Sequence, residues 1–174
     1  MRREAGQNPA AATKFALRSV ARRHRALSEE ISELGAQIER LVGEAAPELV
    51  ALEDVGPDTA ATLLLVAAGD NPEPLKSEAS FAHLLCGAAP IPASSGKVVR
   101  HRLNPGGGNR EANRALHVVA LNRLRRDPRT REYVARRTAE GKSKKEAMRC
   151  LKRYIARETY RAILLDAETR VPPG

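Results

Sequence analysis

Between Thr13 and Ala46 an apolar residue recurs every three or four positions: Leu17, Val20, Leu27, Ile31, Leu34, Ile38 and Leu41, with His24 in the same series. Held over more than three heptads, with Arg and Glu on the flanks, this spacing predicts one long α-helix with a single apolar stripe. A helix of that kind cannot bury its stripe alone. It either packs back on a domain or pairs with a copy of itself. The length of the seam favours an intermolecular coiled coil, and hence a homo-oligomer. His24 then reads as a polar residue that sets register rather than as a ligand. Residues 1–12, with Gly6, Asn8 and Pro9, read as a disordered lead-in, and Pro47 closes the helix.

The rest of the chain keeps a helical period, and no strand signal stands out. Glu48–Asp54 leads into Val55-Gly56-Pro57-Asp58-Thr59-Ala60-Ala61 and then an apolar helix, Thr62–Ala68, ending at Gly69. This pattern resembles a helix-hairpin-helix, in which backbone N–H groups at a helix N-terminus meet a DNA phosphate. Asp54 stands where the usual hairpin has glycine, and an acid there opposes phosphate contact; the alternative is an ordinary helix-turn-helix packing unit. After the turn-rich Gly69–Pro74, Ser77 is positioned to cap a short helix, Ser80–Cys86, with Phe81, Leu84 and Leu85 inward and His83 solvent-facing or hydrogen-bonded. Asn109 can cap Arg110–Arg126, whose apolar face is Ala115, Leu116, Val119, Ala120 and Leu124; Arg110, Arg114, Arg123, Arg125 and Arg126 take the remainder. A helix at Arg129–Glu140, with Tyr133 and Val134 inward, stops at Gly141. Ser143 caps the last helix, Lys144–Leu165, with Ala147, Met148, Leu151, Ile155, Tyr160 and Ile163 or Leu164 as its stripe. The expected architecture is all-α: a coiled-coil helix at 13–46, a compact domain at 47–165 built on the helix-hairpin-helix, and a flexible tail at 166–174.

Charge divides the chain. The net charge is +9, yet residues 1–96 carry 9 Lys/Arg against 13 Asp/Glu while residues 97–174 carry 21 against 8. An excess of that size on one half points to a polyanion, and to nucleic acid over a merely solubilising surface. No apolar run approaches the ~20 residues of a membrane span, and MRREAGQNPAAAT has no apolar leader. A cytoplasmic, nucleoid-associated protein is expected. The two cysteines, Cys86 and Cys150, lack the spacing of a zinc site and read as buried free thiols. No metal site is expected in this chain.

Reactive and phosphate-binding groups concentrate between Ser80 and Arg110. Ser94 and Ser95 precede Gly96, followed by Lys97, Arg100, His101 and Arg102, the turn Asn104–Asn109, and then Arg110 and Arg114 on a helix. A serine hydroxyl attacks a phosphodiester only if its proton is removed and the phosphate charge is neutralised. Arginines supply the second requirement, and Gly96 leaves the backbone open for close approach. Ser-Ser-Gly-Lys also occurs in ordinary surface loops, so the local chemistry speaks more strongly for phosphate contact than for catalysis.

The order of motifs resembles the C-terminal transposase domain of the insertion-sequence 110 family. The matching elements are Val55-Gly56-Pro57-Asp58-Thr59-Ala60, Leu63-Leu64, Gly69-Asp70, Phe81 and Leu85-Cys86-Gly87-Ala88-Ala89-Pro90. They continue through Ser95-Gly96-Lys97, Gly108-Asn109-Arg110 and Gly141-Lys142-Ser143-Lys144-Lys145, covering roughly residues 45–165. Asp54, for the family's glycine, and Pro105-Gly106-Gly107, for its basic turn, depart from the pattern. The resemblance implies a recombinase of mobile DNA whose serine forms a covalent phosphoserine intermediate, directed by a structured guide RNA. It gives that role to Ser95, with Ser94 as the alternative; the local chemistry makes Lys97, Arg100, Arg102, Arg110 and Arg114 the residues expected to hold phosphates. It also implies a ribonuclease-H-like half with four magnesium-binding acids, for which this sequence has no counterpart. Unaided activity is therefore expected to be low. The alternative is a non-catalytic DNA- or RNA-binding module or a regulator of transposition.

Overall fold

A computed structural model of the chain describes residues 9–69, 75–88, 91–92, 101–102 and 108–170. They form an all-α structure. In chain order its helices are α1 (Pro9–Ala45), α2 (Pro47–Val50), α3 (Pro57–Ala67), α4 (Glu78–Ser80), α5 (Arg110–Arg126), α6 (Pro128–Ala139) and α7 (Lys144–Arg170). α4 continues into one π-helical turn at Phe81–Leu85. One pairing that the sequence did not suggest is a minimal antiparallel ladder, β1 (Ile91–Pro92) with β2 (His101–Arg102), in which Ile91 faces Arg102 and Pro92 faces His101.

The long first helix is present, and among the described residues it already runs from Pro9, ahead of the expected Thr13. Proline at a helix start sacrifices no intrahelical hydrogen bond. Most of the stripe touches nothing else in the chain: Leu17, Val20 and Ile31 are each more than 60% exposed, and Leu34 is 51% exposed. Burial begins only at the C-terminal end, where Ile38, Val42 and Ala46 join the core against α3. Packing back on the domain therefore does not cover the seam.

α2 begins at Pro47, and Ala46 offers it no side-chain cap. The cap comes from the far end of the chain. Asp166 on α7 is buried, and its Oδ1 accepts from the Glu48 N–H at 2.9 Å and its Oδ2 from the Leu49 N–H at 3.1 Å. The flexible tail expected from residue 166 is thus corrected: α7 runs on to Arg170, because this carboxylate fastens it to α2. Asp166→Ala would leave two helix-start N–H groups unpaired, one of them buried. Its expected cost is about 2 kcal/mol, which lowers the melting temperature by roughly 4–8 °C. An unchanged thermal unfolding curve would refute this.

Between α2 and α3 the chain turns at Ala51–Gly56. Asp54 has φ +60°, in the left-handed region where glycine is favoured. The hairpin reading of this turn rests on the sequence pattern, since α2 is only four residues long. The core is built mostly of Ala, Leu, Val and Ile, as the scarcity of aromatic residues requires. Its largest buried side chain is Phe81, whose ring centroid lies 5.5 Å from that of Tyr160, and the Tyr160 hydroxyl donates to the Leu75 carbonyl.

α5 buries Ala112, Ala115, Leu116, Val119 and Ala120, with Leu124 partly covered. Arg123 departs from the expected exposed basic face. It is buried, donating from Nε and Nη2 to the Glu53 carbonyl (3.2 and 3.1 Å) and from Nη1 to Glu158 (2.6 Å). It ties the α2–α3 turn to α5 and α7, so it is not available to nucleic acid. α6 starts one residue earlier than expected, because Asp127 caps it by accepting from the Arg129 and Thr130 N–H groups. The Thr130 hydroxyl also donates to this carboxylate and is the main cause of its lowered pKa.

Candidate nucleic-acid interface and the neck of the serine segment

Ser94, Ser95, Lys97 and Arg100 lie outside the described residues, and Arg102 is described only as backbone in β2. The described residues show how the two ends of their segment are held. Gly87 and Gly108 have φ +55° and +84°. A Cβ on Gly108 would lie 2.3 Å from the Gly87 nitrogen and 2.6 Å from its Cα. The two backbones are thus in contact, and only glycine permits that approach. The β1–β2 pairing makes a second crossing on the same segment.

Asn113, in the second turn of α5, locks this neck. Its Nδ2 donates to the Cys86 carbonyl at 2.7 Å and to the Gly87 carbonyl at 3.2 Å. Its Oδ1 accepts from Lys152 on α7, which fixes which end of the amide faces the neck. Asn109 caps α5 by accepting from the Glu111 and Ala112 N–H groups at 2.7 and 3.2 Å, which sets the angle at which the chain enters the helix. The Gly108-Asn109-Arg110 motif therefore divides into a close approach, a cap and an exposed cation.

Cys86 is buried at this neck as expected, while Cys150 is only half-buried. Burial pushes the Cys86 thiol up to about 12, against the opposing pull of the nearby Lys152 ammonium. The thiol is neutral at physiological pH. Burial likewise lowers the pKa of Lys152, with the Cys86 thiol acting in the other direction.

Of the predicted phosphate contacts, Arg110 and Arg114 are exposed on α5, one turn apart. Arg114 donates to Glu111 from Nε (3.1 Å) and Nη2 (2.6 Å). Asp58 and Glu111 line the cleft between α3 and α5 beside Arg114. The start of α3 thus faces carboxylates, and Asp54, mostly buried, lies 3.4 Å from Arg126. These acids oppose a phosphate at the hairpin, so the surface suited to polyanions lies on α5 and α7.

Asn113 and Lys152 escape a reading of the sequence alone. Lys152 did leave a trace there: it interrupts the apolar stripe of α7, four residues after Met148 and three before Ile155. His24 is exposed on α1. Among the described residues no group of three or more His, Cys, Asp or Glu side chains is placed to hold a metal ion, and no helix is long and apolar enough to cross a membrane.

Comparison with known proteins assigns the chain to a family. The profile of the transposase IS116/IS110/IS902 family matches residues 48–135, half of the chain, from α2 through most of α6. An uncharacterised 43.6 kDa protein of insertion element IS110 from Streptomyces coelicolor is 36% identical over 157 residues, 86% of this chain. The chain belongs to the IS116/IS110/IS902 transposase family. It spans 37% of the length of that curated relative.

Proposed function

We propose that this chain is the DNA-binding, serine-bearing C-terminal part of a mobile-element transposase and acts in DNA transposition. The supporting observation is the neck. The family match runs through both of its walls, and Gly87, Gly108 and Asn113 hold together the ends of the segment that carries Ser94, Ser95, Gly96 and Lys97. A nucleophile needs its phosphate held in line, and the neck fixes where the serine segment leaves and rejoins the helices.

In this reading Ser95 Oγ attacks a DNA phosphorus. The Oγ–P bond forms, one ester P–O bond breaks, the hydroxyl proton passes to a base, and the departing sugar oxygen takes up a proton. Lys97, Arg100, Arg102 and Arg110 neutralise the non-bridging oxygens, and Arg114 holds a flanking phosphate. Ser94 is the alternative nucleophile. By resemblance, a structured RNA selects the sites, and magnesium is held by acids of a ribonuclease-H-like half. Among the described residues of this chain no group of acids is placed to hold it. A helix-hairpin-helix at α2–α3 contributes packing more than phosphate contact. A protein acting on DNA in this way is nucleoid-associated.

Binding to duplex DNA tests the reading. Each phosphate neutralised contributes a slope of about −0.9 to the dependence of log affinity on log salt. Affinity that falls steeply with salt, and falls further in Arg110→Ala, is expected. Affinity independent of salt would remove DNA from the reading.

The exposed stripe of α1 is proposed to form a coiled coil with a second copy. Each Leu or Ile withdrawn from water stabilises the pair by roughly 1.5–3 kcal/mol. Light scattering should give an oligomer at micromolar concentration and a monomer for Ile31→Asp/Leu34→Asp. A wild-type monomer would contradict this.

A further inference from the structure

Where the start of α7 passes α5 lies a groove of about 380 Å³ lined by Asn113, His117, Lys144, Lys145, Met148, Arg149 and Lys152. We propose that this groove binds the sugar-phosphate backbone of duplex DNA and delivers it to the neck of the serine segment. The inference rests on the reading of the chain as DNA-binding and locates where the backbone runs.

The groove has four Lys/Arg side chains in its lining and no carboxylate. None of the four forms an ion pair among the described residues, whereas Arg114, Arg123, Arg126, Arg137 and Arg157 all do. The nearest acid in sequence, Glu146, accepts from the Ser143 N–H and hydroxyl, the main cause of its lowered pKa, with smaller pulls from Lys142 and Arg149 and no ion pair to either.

Lys152 carries the argument furthest. Its side chain lies in the core layer, with the residue only 8% exposed. A buried ammonium is costly unless a counter-charge and hydrogen bonds compensate it. Here it has one hydrogen-bond acceptor, the neutral Asn113 amide, and its other neighbour, Cys86, is a protonated thiol. An ammonium has three donors; Asn113 accepts one bond, and a phosphate in the groove can accept from the others. Lys144 and Lys145 point the same way. They sit in the first turn of α7, where cations work against the helix dipole. A phosphate there would be attracted by both the lysines and the dipole.

The position links binding to chemistry. Asn113 and Lys152 line the groove, and the same Asn113 amide holds Cys86 and Gly87. A phosphate on Lys152 therefore lies one side chain from the neck. Duplex DNA is the assigned occupant because the lining is cationic without a carboxylate and the chain belongs to a transposase family.

The test is fluorescence anisotropy of the full chain with a labelled DNA duplex, and with a labelled hairpin RNA of matched length, over a salt series. Lys145→Gln/Arg149→Gln is compared with Arg125→Gln/Arg129→Gln, which removes the same charge where α5 meets α6, and Lys152→Met is measured beside them. The groove variant should bind duplex roughly tenfold more weakly, and its salt slope should shrink by about 1.8, two phosphates at ~0.9 each. The control should change little, and Lys152→Met should lose about 0.9. Lys145→Gln alone, at an exposed side chain, gives half the slope change should the double variant lose its circular dichroism signal. Unchanged duplex binding in the groove variants, or an equal loss in the control, overturns the groove while leaving DNA binding by the chain intact. Groove-dependent binding that is tighter for the RNA overturns the duplex assignment. A wild-type chain without salt-dependent duplex binding sinks both this inference and the proposed function.

Discussion

Gly108→Ala is expected to be the most damaging small substitution in the domain. Two costs add. A residue with a Cβ at φ +84° pays about 1–2 kcal/mol for the left-handed conformation. The new methyl would also lie 2.3 Å from a backbone nitrogen, so the Gly87 and Gly108 strands must separate. Separation pulls the Cys86 and Gly87 carbonyls from Asn113 and in turn frees Lys152. A loss of roughly 3 kcal/mol is expected, with faster amide exchange at Ala88, whose N–H bonds the Ala82 carbonyl. Gly141 is the control: it has nearly the same φ, +88°, but nothing lies within 4 Å of an added Cβ. Gly141→Ala should lose only the conformational part. Equal melting temperatures for the two variants would show that the backbone contact at the neck contributes nothing.

The parts of this fold that the sequence reveals are those with local causes. The caps at Ser77, Asn109 and Ser143 each involve partners within three residues, and the buried faces of α5 and α7 follow directly from helical spacing. The stripe of α1 is equally plain. The parts that stay hidden depend on long-range closure. Asp166 caps a helix 117 and 118 residues away, Arg123 reaches back 70 residues to Glu53, and Lys152 meets Asn113 across 39. Spacing within a window cannot show such pairs, so Asp166 reads as tail, Arg123 as one more surface arginine, and Lys152 as a flaw in a stripe. The β1–β2 pairing is invisible for another reason: two-residue strands are too short to show alternation, and one of them carries Pro92. At the candidate site the motif residues Gly108 and Asn109 were legible as a turn and a cap, but that Gly108 touches Gly87 required the fold.

Ser95→Ala carries the second large expectation, the complete loss of strand transfer. The hydroxyl is the group that bonds to phosphorus in the proposed reaction, so alanine removes the nucleophile itself. Ser94→Ala should retain the reaction, as should a variant altered only on α1. DNA affinity should survive in both serine variants, since arginine and lysine contacts provide most of it. That separation of binding from chemistry distinguishes a transposase from a non-catalytic DNA-binding module built on the same helices.

The most direct measurement is covalent trapping on labelled DNA. The chain is mixed with the ribonuclease-H-like half, structured RNA and magnesium that the proposed function calls for, and the products are resolved under denaturing conditions. A protein–DNA adduct is expected with the wild type and with Ser94→Ala, and none with Ser95→Ala. An adduct that persists in Ser95→Ala, or disappears only in Ser94→Ala, would contradict the assignment of the nucleophile, and no adduct in any mixture would contradict the catalytic reading altogether.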